Sequence, residues 1–181
     1  MIMFSRAAAL MPARPEEILR QVNPWWILFT CFLGLLGNLA PASGIALVVR
    51  PDFLALVILY WCIQEPRYMG VGIAWLLGLV MDVADATVFG QHALAYAVLA
   101  YAAEYFRRRV LRFPLWQQAV QVAALLALCS ALVLLVRIVG GSPIPGWTYA
   151  APPFVGALLW PLLSVLLQYP QRPNHASSNK R

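Results

Sequence analysis

The chain has 181 residues, of which 62% are hydrophobic and 11% charged, a balance outside that of soluble domains of this size. A β-barrel is excluded as well, because no ten-residue segments alternate between apolar and polar positions. The net charge of +6 is read by position rather than as a nucleic-acid signature, since no basic domain interleaved with aromatic residues accompanies it.

The first 23 residues form a retained N-terminal tail: the apolar run Ala7 to Met11 is too short for a signal peptide and is followed by Pro12, Arg14, Glu16 and Glu17. The first span begins at Pro24, a residue suited to a first helical turn, with Trp25 and Trp26 suited to an interfacial belt, and reaches about Leu39. Residues 42–49 are apolar but closed by Arg50, Pro51 and Asp52; crossing part of the bilayer, lining a loop and extending the first span all stay open.

The second span runs from Asp52 to about Gln64, where Pro66 stops it. It is short for a bilayer core about 30 Å thick, so tilted partners or local thinning are expected to make up its length. The third covers Met69 to about Met81, the fourth about Gln91 to Phe106, the fifth Trp116 to about Val139 and the sixth about Ala150 to Tyr169. The expected architecture is an all-α membrane protein, a six-helix transmembrane bundle over residues 24–169, with five crossings as the alternative. Residues 170–181, polar and rich in proline, read as a flexible C-terminal tail.

Counting Lys and Arg between spans gives the orientation. Arg6, Arg14, Arg20, Arg67, Arg107, Arg108, Arg109, Arg112, Arg172, Lys180 and Arg181 fall on one side, and only Arg50 and Arg137 on the other. Positive residues near span ends are retained in the cytoplasm, so both termini are expected inside. Within the cluster, Arg107, Arg108, Arg109 and Arg112 read as a topology anchor touching anionic lipid, with an acidic cytoplasmic partner as the alternative.

Gly70, Ala74, Gly78 and Asp82 recur every fourth residue on one face of the third span, which lets a helix approach closely and turns the acid toward protein. His92 lies within reach of Asp82 across a short connection. Asp85 belongs to that connection, Gly90 suits positive φ before a helix, and Gln91 opens the next span. These eight residues are candidates for partner binding or structural support. In the first span, Asn38 is placed to hydrogen-bond across the bundle.

No catalytic arrangement is expected. Ser142 lacks a nucleophile-elbow context, Asp82 and Asp85 share one turn of chain, and a metal site would need more than Asp82, Asp85 and His92. Cys31, Cys62 and Cys129 sit in apolar runs and read as packing residues, so neither disulfides nor a cofactor are expected.

The segment from Arg50 to Tyr101 resembles the central region of the MreD family of rod shape-determining proteins. The resemblance rests on an ordered set: Arg50, Pro51 and Asp52; Tyr60 and Trp61; Gly78, Leu79 and Asp82; and Gly90 to Leu94, together less than a third of the chain. It implies an inner-membrane component of the cell elongation machinery that binds MreC, alongside MreB, RodA and the elongation-specific penicillin-binding protein, and that supports regulation of peptidoglycan synthesis. It also implies a fold similar to the S component of energy-coupling-factor transporters. The alternative function is therefore a small-molecule-binding transporter subunit, with Asp82, Asp85, Gln91 and His92 lining a pocket. Homo-oligomerisation is left open.

Overall fold

A computed structural model describes residues 23–41, 43–44, 49–86, 90–141 and 146–168. Over these residues the chain forms six α-helices and no strand: α1 (Pro24–Leu39), α2 (Phe53–Gln64), α3 (Val71–Ala84), α4 (Gln91–Val110), α5 (Leu115–Val139) and α6 (Ala151–Gln168), with a 3₁₀ turn at Trp147–Ala150 before the last. Both tails, and most of residues 42–49, lie outside the described residues.

Local chemistry sets most of the helix starts. Asn23 caps α1 by accepting from the Trp25 N–H at 3.1 Å, with Pro24 in the first turn, where no N–H is needed. Asp52 caps α2 by accepting from the Ala55 N–H at 2.9 Å. Gly90 precedes α4 at φ +96°, a conformation that favours a residue without Cβ. Pro114 precedes α5, and Pro152 and Pro153 occupy the first turn of α6.

Two boundaries differ from expectation. The third helix starts at Val71 because Gly70 is extended, at φ −110° and ψ 179°, and it continues to Ala84, so Asp82 lies in its last turn. The fourth runs on to Val110, since nothing between Phe106 and Pro114 breaks it, and Arg107 to Arg109 are helical.

In the packing, α3 lies on α4, α4 on α5 and α5 on α6, while α2 packs on α1, α4 and α6. The second helix is thus the centre: every residue from Leu54 to Ile63 is at most 5% exposed. Its 12 residues span only about 18 Å. Protein surrounds this helix on all sides. Close approach and side-chain hydrogen bonds hold it. A Cβ on Gly34 would stand 3.2 Å from the Leu54 Cα, and the Trp61 indole donates to the Thr30 hydroxyl at 2.9 Å.

The outward faces are apolar. Leu28, Phe32 and Leu36 on α1, and Phe154, Leu158 and Leu162 on α6, are all exposed at four-residue spacing. Contiguous apolar surface of this kind suits lipid or another helix rather than water. Two helices, α5 and α6, are long and apolar enough to cross a bilayer, which supports membrane association; α1, α2 and α3 are apolar but shorter.

The bundle has two chemically distinct ends. Asp52, Asp82, Asp85 and His92 mark one, called here the aspartate end. Arg107, Arg108, Arg109 and Arg112 mark the arginine end.

Candidate functional site

At the aspartate end, two carboxylates, one buried and one half-buried, each organise a helix start. Asp82, 1% exposed, projects from the last turn of α3 onto the first turn of α4. Its Oδ2 accepts from the Gly90 N–H at 2.8 Å and the Ala93 N–H at 3.3 Å. Its Oδ1 accepts from the His92 N–H at 2.8 Å and lies 2.9 Å from His92 Nδ1. Gly90 has no side chain with which to cap α4, so Asp82 supplies the cap from a neighbouring helix. A negative group there also faces the positive end of the α4 dipole.

Gly78, one turn before Asp82, makes this possible. A Cβ at 78 would lie 2.4 Å from the Ala93 Cα and 2.6 Å from the His92 carbonyl oxygen, inside any real contact distance. Ala74, fully buried, continues the same face, and a Cβ at Gly70 would come 3.7 Å from Glu104 Oε1 of α4. The small-residue ridge is therefore filled by α4 of the same chain.

Asp52 is the second centre, and sequence reasoning did not select it. Its Oδ1 accepts from Asn38 Nδ2 at 2.7 Å besides capping α2, and its Oδ2 accepts from the Tyr96 hydroxyl at 2.7 Å. Asn38 Oδ1 accepts in turn from the Phe53 N–H at 2.8 Å. One carboxylate thus ties α1, α2 and α4. An aspartate immediately before an apolar run is a cap signal readable in sequence, whereas a partner 44 positions away is not.

Between the two centres lies a cavity of about 150 Å³, whose wall includes Arg50, Asp52, Asp85, His92, Ser130 and Tyr149. Asp85 is exposed and its carboxylate makes no hydrogen bond among the described residues. The Arg50 guanidinium donates through Nη1 to the Ala40 carbonyl at 2.7 Å. Burial raises the Tyr149 phenol above its ordinary range, with Arg137 opposing, so the hydroxyl stays protonated at neutral pH. Gln91 is not on this wall: it is 1% exposed and its Oε1 lacks a partner among the described residues. No group of three or more His, Cys, Asp or Glu side chains placed to hold a metal occurs among the described residues.

At the arginine end, the four-residue cluster divides. Arg107 turns inward, its Nε donating to the Ile63 carbonyl at 2.5 Å and its Nη2 to the Gln64 carbonyl at 3.3 Å. It closes the C-terminus of α2, whose last carbonyls otherwise lack partners. This corrects its expected place beside its neighbours; Arg108, Arg109 and Arg112 remain exposed.

A family model described as rod shape-determining protein MreD matches residues 19–170, a span that contains all six helices. The chain belongs to the MreD family. A curated MreD family relative, "Rod shape-determining protein MreD" of Haemophilus influenzae, is 28% identical over 152 residues, covering 82% of this chain and 93% of that one. No solved structure matches. Membership of the MreD family supports a role in determining rod shape. Several of the residues that carry the MreD resemblance fall on the two carboxylate centres, where Asp52 caps α2 and Gly78 and Asp82 receive the turn that begins at Gly90, while Tyr60 and Trp61 lie in the buried length of α2.

Proposed function

We propose that the chain is a non-enzymatic scaffold of the cell elongation (rod) complex in the bacterial inner membrane, seating the transmembrane helix of MreC and supporting regulation of peptidoglycan synthesis. MreB, RodA and the elongation-specific penicillin-binding protein are then fellow members of the assembly. In this reading all six helices cross the bilayer, the fold is similar to an energy-coupling-factor S component, and the arginine end and both termini face the cytoplasm. Arg67, Arg107, Arg108, Arg109 and Arg112 gather at one end against Arg50 and Arg137 at the other, which supports that orientation.

The observation that carries the scaffold reading is how these two carboxylates are used. Asp82 accepts from three backbone N–H groups and Asp52 from one backbone N–H and two side chains, all within the bundle. Groups so engaged position helices; they are not poised to transfer a proton or attack a substrate. The small-residue ridge is taken by α4, so the surface left for a partner helix is apolar, on the outward faces of α1, α3 and α6.

Single cysteines placed along those three faces, in membranes containing MreC, test the reading by cross-linking. The native Cys31, Cys62 and Cys129 are buried and give little background. Cross-links confined to one stripe, with loss of rod shape when that stripe is made polar, are expected. Uniform absence of cross-links on all three faces would reject the dock.

A further inference from the structure

The cavity at the aspartate end is not used by the helix-seating network, although both carboxylate centres border it. His92 is 8% exposed and lines the cavity, with its Nδ1 2.9 Å from Asp82 Oδ1. Asp85 presents a carboxylate with no partner among the described residues, and Asp52, accepting three bonds, retains one acceptor direction. The two carboxylates that line the cavity can accept from the N–H donors of a primary ammonium.

The remaining wall has the opposite character. Arg50 uses one nitrogen on the Ala40 carbonyl and keeps the rest of its donors, and Tyr149 carries a hydroxyl. A ligand bearing only an ammonium would leave Arg50 facing a second cation, and one bearing only a carboxylate would face two aspartates. The cavity, of about 150 Å³ and open on one side, is small, and Ala55, Leu126 and Val133 supply apolar wall for a short side chain.

We propose that this cavity is a binding site for a small zwitterionic amino acid, its ammonium on Asp52 and Asp85 and its carboxylate on Arg50 and Tyr149. Occupancy would brace α1, α2, α4 and α5 against one another at the end where their caps meet, without any need for the chain to belong to a transporter. The site stands independently of which surface seats a partner helix.

Equilibrium dialysis of the full chain in detergent against labelled alanine of each hand tests it, with thermal melts alongside. Saturable binding of about one alanine per chain is expected, with a rise of a few degrees in Tm that grows with ligand concentration, while ethylamine and acetate at equal concentration neither bind nor compete. Asp85→Asn, at an exposed residue without a hydrogen-bond partner among the described residues, should melt like the parent yet bind on the order of tenfold more weakly. Tyr149→Phe should weaken binding from the other half, and Arg108→Ala at the far end should bind as the parent does. No saturable uptake of either hand, ethylamine binding as well as alanine, or unchanged affinity in both Asp85→Asn and Tyr149→Phe would each overturn the assignment.

Discussion

Gly78 lies beneath Ala93 so closely that a Cβ added to it would stand 2.4 Å from the Ala93 Cα. The obstacle is backbone on both sides, so no rotamer change relieves it. Gly78→Ala is expected to cost about 3 kcal/mol by overpacking, read as a lowered Tm and less protein retained in membranes. Gly72, with nothing within 4 Å of its position, is the control: Gly72→Ala should be neutral or slightly stabilising through helix propensity. Equal melting of the two variants would remove the close-packing argument. For the same reason, Gly78→Leu should disrupt the bundle before any partner contact is affected.

Asp82→Asn keeps size and shape but turns an amide donor toward backbone N–H groups. A loss of about 3–5 kcal/mol is expected, because buried donors are left facing a group that cannot satisfy them all. His92→Ala should cost less, since the three backbone bonds to Asp82 survive it. The double variant should fall short of the sum of the singles in thermal melts, the non-additivity expected of residues in contact. Strict additivity would mean that the 2.9 Å contact does not couple the two side chains.

At the neighbouring centre, Tyr96→Phe removes one hydroxyl from Asp52 and should cost about 1.5–3 kcal/mol, the range for a hydrogen bond to a charged group. Asn38→Asp is expected to be worse, because it replaces a donor 2.7 Å from the Asp52 carboxylate with a second negative charge. Chemical-denaturant or thermal unfolding in detergent would rank the two; the reverse order would argue against Asp52 as the shared acceptor.

Arg107→Ala should lower stability by about 1–3 kcal/mol by exposing the last α2 carbonyls, with Arg107→Lys recovering only part because a single ammonium cannot reproduce the guanidinium fork. Alanine at Arg108, Arg109 or Arg112 should leave stability within about 0.5 kcal/mol of the parent. Vesicle association is the complementary readout, in which those three, and not Arg107, should show dependence on anionic lipid.

Features written in local chemistry were legible in the sequence. Pro24, Asp52, Pro66, Gly90 and Pro114 punctuate the chain, and the six helices fall close to where this punctuation and the apolar runs put them, the bounds of α3 and the end of α4 excepted. The four-residue recurrence through Ala74, Gly78 and Asp82 could be assigned to one face, because helical period alone decides it. Which helix meets that face could not, since an internal neighbour and a foreign helix ask for the same small residues. The Asp52–Tyr96 bond joins residues 44 apart in sequence, and the inward turn of Arg107 depends on where α2 ends in space. Neither leaves any trace in spacing. The enclosure of α2 was hidden too: a uniformly apolar run reads alike whether its neighbours are lipid or protein.

That enclosure constrains how the protein is made. On the proposed six-span topology, twelve residues are too few to hold a segment across a bilayer unaided, so α2 leaving the translocon would have no resting place among lipids until α4, bringing Tyr96 and Arg107, had been synthesised. Biogenesis is then a matter of retention rather than stepwise release: the first hairpin waits, and a ribosome stalled before residue 107 leaves it without the lock that closes its far end.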